Sequence, residues 1–142
     1  MEFLSKSEED TKNFAYKLAL ELKGGEVFLL NGDLGAGKTV FAKGLCQGLG
    51  NESVVTSPTF TIMNMYKGRL NFYHFDMYRI ENESELIELG FDEYIGSSDA
   101  VCAIEWSSRV PSLLPKNCIT VEITKVDDET RLIKVERWNY YL

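Results

Sequence analysis

The octapeptide Gly32-Asp33-Leu34-Gly35-Ala36-Gly37-Lys38-Thr39 fits the pattern G-x-x-x-x-G-K-[ST], and it lies directly between an apolar run and an amphipathic one. Upstream, Val27, Phe28, Leu29 and Leu30 within 26–31 predict a short strand buried on both faces. Downstream, Phe41, Leu45 and Leu49 recur at helical spacing from Lys38 until Gly50-Asn51 stops the run. Strand, glycine loop and helix therefore come in the order that a phosphate-cradling loop requires. Glycines permit positive φ, so successive N–H groups can converge on phosphate oxygens at the positive end of the helix. Lys38 then reaches the β and γ phosphates, and Thr39 offers its hydroxyl to Mg²⁺. With each required residue type at about seven per cent usage, chance alone yields the pattern in on the order of half a per cent of chains this long. Its placement between strand and helix makes accident rarer still, so the chain is expected to bind a nucleoside triphosphate, ATP with Mg²⁺.

The rest of the chain supports one α/β unit across residues 1–142. A helix is expected from Glu8 to Leu22, with Ser7 as N-cap, Phe14, Leu18 and Leu22 on one side, and Gly24-Gly25 beyond its end. Segments 60–66 and 70–75, joined across Lys67-Gly68-Arg69, read as a hairpin with Asp76 at its far end. Glu83 to Leu89 reads as a helix stopped by Gly90, and Ala100 to Ile104 as another buried strand ending in Glu105. Ile119, Val121 and Ile123 alternate with polar residues, and a further strand spans Arg131 to Arg137, so these two form an antiparallel pair at one sheet edge. The expected fold is a mostly parallel central sheet flanked by helices, with antiparallel edge strands.

No stretch approaches the roughly 20 apolar residues of a membrane span. The N-terminus runs into the acidic Glu8-Glu9-Asp10 without a signal-like apolar segment, so export is not expected. Cys46, Cys102 and Cys118 are odd in number, far apart and set among apolar neighbours, which suits reduced buried thiols in a cytoplasm. A formal charge of −7 argues against gripping nucleic acid through phosphate neutralisation, so any RNA is expected to be held mainly by a partner.

Two carboxylates are placed to serve a metal and a water. Glu105 ends a buried strand, where acidic residues of such folds meet Mg²⁺; the alternative is a solvent-exposed strand end. Asp76 would bind the metal through water or orient an attacking water, or else accept backbone hydrogen bonds in a loop. Ser57-Pro58-Thr59 offers two hydroxyls and a rigid φ for a nucleotide-sensing switch, though an ordinary turn would look much the same. His74, the sole histidine, reads as structural or as support for the site, and Trp106 as core or as part of a moving interface.

The glycine loop, Ser57-Pro58-Thr59-Phe60, Tyr73-His74-Phe75-Asp76-Met77-Tyr78-Arg79 and Glu105-Trp106 together resemble the bacterial TsaE (YjeE) family. The likeness includes Glu88-Leu89-Gly90 and Leu113-Leu114-Pro115 and thins after Cys118. It implies a small ATPase working with a TsaB–TsaD complex to form N6-threonylcarbamoyladenosine at position 37 of tRNAs reading ANN codons. It also implies that Gly35, Ala36, Gly37 and Lys38 hold the nucleotide, that Thr39 and Glu105 ligate Mg²⁺, and that Asp76 serves hydrolysis near the γ-phosphate. Thr11 would approach the adenine side, and Arg131 would reach the nucleotide. Separately, because phosphoryl transfer depends mostly on positioning and charge stabilisation, a docking partner is expected to organise Thr59, Asp76 and Glu105 around the γ-phosphate. Val40 is a departure: many relatives carry a threonine there, and its absence removes a hydroxyl for the α-phosphate.

Three rivals remain open. Thr124-Lys125-Val126-Asp127 matches a guanine-reading T-K-x-D string, but no D-x-x-G switch accompanies it. A small-molecule kinase would share the loop yet need an acceptor pocket and lid, for which no insertion is evident. A module in which nucleotide only controls docking, without turnover, is the third.

Overall fold

A computed structural model describes residues 1–51, 55 and 62–136 of the chain. Helix α1 (Glu8–Ala19) starts where Ser7, in extended conformation, accepts the Asp10 amide on its Oγ at 3.0 Å. Glu8, Glu9 and Asp10 in the first turn and Lys17 in the last complement the helix dipole. The helix ends at Ala19 rather than at the expected Leu22. The Arg69 guanidinium donates to the carbonyls of Ala19 and Leu22, both at 2.8 Å, and so satisfies main-chain acceptors at this end. Leu22 still reaches the core from the tightened turn that follows.

Strands β1 (Glu2–Ser5), β2 (Val27–Asn31), β3 (Met63–Tyr66), β4 (Asn71–Asp76), β5 (Ala100–Glu105), β6 (Ile119–Lys125) and β7 (Arg131–Glu136) join one sheet in the order β1-β7-β6-β2-β5-β4-β3. The four central strands are parallel; β3 pairs antiparallel with β4, β7 with β6, and β1 with β7. The expected β6–β7 pair is present, but the edge assignment needs correction. The outermost strand is β1, which the sequence did not reveal because its four residues bury only Ser5 fully, too short an alternation to read.

Successive residues of the central strands face opposite layers. Phe28 and Leu30 of β2, Phe72 of β4, and Val101 and Ala103 of β5 pack beneath α1 and α2 (Lys38–Gly48). Val27, Tyr73, Phe75, Cys102 and Ile104 face the other layer, built from α3 (Ser84–Glu88), α4 (Phe91–Tyr94) and two 3-10 turns at Ser107–Arg109 and Pro111–Leu113. The α1–α2 contact depends on glycine. A Cβ on Gly44 would lie 2.3 Å from the Lys12 carbonyl oxygen and 2.7 Å from Ala15 Cβ, and one on Gly48 would lie 2.5 Å from Ala19 Cβ. Gly44 and Gly48 thereby let α2, whose first turn carries Lys38 and Thr39, seat closely against α1. Among the described residues no helix is long and apolar enough to cross a membrane.

Candidate nucleotide-binding site

The loop 32–39 leaves the carboxyl end of β2, and Gly35 and Gly37 adopt φ of +80° and +110°. A Cβ at either would meet nothing within 4 Å, so glycine is required there for backbone conformation and not for space. Gly37 is the left-handed N-cap of α2 and makes no side-chain capping bond. The first-turn amides of α2 are therefore suited to an anion.

The same edge of the sheet collects the acidic residues. Parallel pairing sets Leu30 of β2 beside Glu105 of β5, and Glu105 beside Asp76 of β4. Asp76 and Glu105 share the α2-facing side of their strands, because positions 72, 74 and 76 of β4 and 101, 103 and 105 of β5 alternate onto that side. Glu105 is buried, and its Oε2 lies 2.6 Å from His74 Nε2. Asp76 is half-buried and accepts the Tyr78 amide on Oδ1 at 3.0 Å, so a loop-type backbone bond and a position beside Glu105 coexist in one residue.

Beyond Glu105 the chain turns sharply through Trp106, the one non-glycine residue with positive φ (+60°) among the described residues. This places the indole under Lys38, whose Nζ lies 4.6 Å from the ring centroid. Tyr78 packs on the same indole at 5.0 Å. Lys38 is itself buried, and among the described residues no carboxylate lies within salt-bridge distance of it. Its charge is stabilised by the aromatic face and is not neutralised by an internal anion.

On the other side of the loop, a cavity of about 310 Å³ is lined by Gly35, Ala36, Gly37, Val40, Thr11 and Arg131, together with Ser7, Glu8, Asp128 and Glu129. All six of the first group were singled out from the sequence, and the structure brings them together. Thr11 is buried, with Oγ1 2.6 Å from Ser5 Oγ. The Arg131 guanidinium donates to the carbonyls of Ala36 (2.9 Å), Asp127 (2.8 Å) and Thr130 (3.1 Å), so it ties the β6–β7 turn to the glycine loop. Thr59 and the Ser57-Pro58-Thr59 switch lie outside the described residues. Sequence reasoning missed the acidic lining: Asp128 and Glu129 belong to a turn remote in sequence from the loop, and only the β2–β6 pairing brings that turn alongside.

The residues expected at a metal, Thr39 in the first turn of α2 and Glu105 at the end of β5, offer hard oxygens, as does Asp76 beside Glu105. Such a set fits Mg²⁺, which takes its remaining ligands from phosphates and water.

A mixed sheet whose central parallel strand feeds a glycine loop and a helix defines an α/β protein of the P-loop nucleoside-triphosphatase fold. The sequence profile of TsaE, described as threonylcarbamoyl adenosine biosynthesis protein, matches residues 5–133. A relative from Treponema pallidum, a tRNA threonylcarbamoyladenosine biosynthesis protein TsaE, is 40% identical over 135 residues, covering 95% of this chain and 99% of its own. The protein of that name from Bacillus subtilis is 45% identical over 126 residues, covering 88% of this chain and 78% of its own. The crystal structure of Bacillus subtilis YdiB superimposes with a TM-score of 0.84 at 36% identity, covering 99% of this chain and 88% of that one. This chain belongs to the TsaE family.

Proposed function

We propose that this chain is a Mg²⁺-dependent ATPase of the cytoplasm that supports a TsaB–TsaD complex in forming N6-threonylcarbamoyladenosine at position 37 of tRNAs reading ANN codons. The reading is carried by one juxtaposition: Asp76 and Glu105 end neighbouring strands, and Lys38, in the first turn of α2 after the glycine loop, lies over Trp106 next to Glu105. In this reading the loop amides and Lys38 hold the phosphates, Thr39 and Glu105 hold Mg²⁺, and Asp76 orients the attacking water. When bound there, Mg²⁺ would neutralise charge on the phosphates. The acidic lining of Glu8, Asp128 and Glu129 repels the polyphosphate, so the base and ribose occupy the cavity near Thr11 and Val40.

Hydrolysis is slow in isolation and quickens when partners organise Thr59, Asp76 and Glu105, since phosphoryl transfer depends on positioning and charge stabilisation. With a net charge of −7, the chain meets tRNA mainly through those partners. The guanine-reading alternative draws on Thr124–Asp127, which lies beside the cavity-lining turn. One oxygen of its key carboxylate is engaged: Asp127 Oδ1 accepts the amides of Thr130 (2.8 Å) and Glu129 (3.0 Å). These bonds hold its carboxyl below the usual carboxylate range, and the lack of a D-x-x-G switch in the sequence favours ATP over GTP for the site.

The test is tRNA modification reconstituted with TsaB–TsaD, with and without this chain, comparing ATP with a non-hydrolysable analogue. Multiple turnover is expected only with the chain and hydrolysable ATP. Equal modification with the analogue would leave nucleotide-controlled docking as the function.

A further inference from the structure

We infer that His74 is a positioning residue that holds the Glu105 carboxylate in a metal-ready orientation. The inference rests on the reading above, in which Glu105 ligates Mg²⁺. The two residues face the same layer but are not direct partners: Asp76 lies opposite Glu105, and His74 lies opposite Ala103. The Glu105 side chain therefore turns back along the strands to meet His74, where Oε2 and Nε2 are 2.6 Å apart. His74 is fully buried, and its ring packs near Phe72 at 6.1 Å. Its Nδ1 has no hydrogen-bond partner among the described residues.

The carboxylate partner at 2.6 Å calls for a hydrogen on Nε2, and the orphan Nδ1 agrees with it. With the hydrogen on Nε2, the ring donates to a carboxylate and leaves only a lone pair unmatched at Nδ1. With a hydrogen on Nδ1, a buried donor would go unpaired, which costs more. The bond is thus Nε2–H to Oε2, a short charge-assisted contact from a ring that packing holds still. It occupies one carboxylate oxygen and leaves Oε1 for a cation. It also ties Glu105 away from Lys38, whose ammonium remains on Trp106 and available to phosphate. Partners that orient a metal ligand in this way typically contribute ~10–100-fold to metal affinity.

The experiment measures Mn²⁺ affinity, by electron paramagnetic resonance, of the full chain saturated with ADP, alongside calorimetric ADP affinity without metal. H74F, which keeps an aromatic ring but no donor, is expected to weaken Mn²⁺ binding ~10–100-fold while leaving metal-free ADP affinity unchanged. H74Q, which restores an N–H, should recover most of the loss, and H74F should add little in an E105A background. Wild-type Mn²⁺ affinity in H74F, with a loss in E105A, overturns the positioning role alone. No loss in E105A overturns the assignment of Glu105 to the metal. Should H74F fail to fold, ¹⁵N spectra of the wild-type protein decide. A protonated Nε2 that shifts on adding Mg²⁺ to the ADP complex is expected, and an Nε2 indifferent to Mg²⁺ overturns the role.

Discussion

Replacing Gly44 by alanine sets two familiar effects against each other. Helix propensity alone predicts a gain of ~1 kcal/mol, because alanine is the better helix former. The structure predicts a loss. The added methyl would lie 2.3 Å from the Lys12 carbonyl oxygen and 2.7 Å from Ala15 Cβ. The carbonyl belongs to the α1 backbone, so relief requires α1 to retreat by roughly 1 Å. Overpacking of this kind costs ~1–3 kcal/mol, and contact with main chain argues for the upper half. The net change is a destabilisation of about 1–2 kcal/mol, or roughly 3–7 °C in Tm for a domain of this size. Urea and thermal unfolding followed by circular dichroism would measure it, with Gln47→Ala on the exposed side of the same helix as control. Thr11 of α1 and Val40 of α2 line one cavity, so the variant should also bind nucleotide more weakly. A Gly44→Ala protein as stable as wild type would refute the close α1–α2 seating.

Lys38 Nζ lies over the Trp106 ring, and the proposed phosphate contact would draw it away, so Mg²⁺·ADP should change the emission of Trp106, read in a chain where Trp138 is replaced by Phe. An unchanged spectrum at saturation would contradict that movement. Burial pushes the Cys46 and Cys102 thiols up to about 12. At pH 8 only about one such thiol in ten thousand is ionised, so Ellman's reagent should reach these two cysteines on unfolding and not before. Their stabilising contribution is complete below the unfolded value of 9.0 and is lost as pH rises toward about 12, so alkaline unfolding should begin within that window. Rapid labelling of the native protein would contradict their burial.

The centre of the fold was legible because its signals are local. The apolar run of β2, the glycine loop and the periodicity of α2 adjoin in sequence, and β5 reads as a buried run ending in a carboxylate. What escaped depends on pairing between distant segments. Strand β1 exists through β7, and Asp128 and Glu129 reach the cavity because β6 lies beside β2. The early stop of α1 likewise follows from Arg69, some 50 positions along the chain. For the site, residue types were readable but their bonds were not. His74 sits two positions before Asp76 on the same strand face, yet nothing in the sequence says that its ring meets Glu105 and not Asp76. Arg131 was expected at the nucleotide; it lines the cavity, with its guanidinium bonded to main-chain carbonyls of the loop and of its own turn.

The most direct measurement is calorimetric titration of the folded chain with ATP and with GTP in Mg²⁺ buffer, repeated with Lys38→Ala. One saturable ATP site, weaker GTP uptake and a loss of ATP affinity in the variant are the predicted results. Absence of heat for either nucleotide, with or without TsaB–TsaD, or equal ATP affinity in the variant, would contradict phosphate binding by residues 32–39.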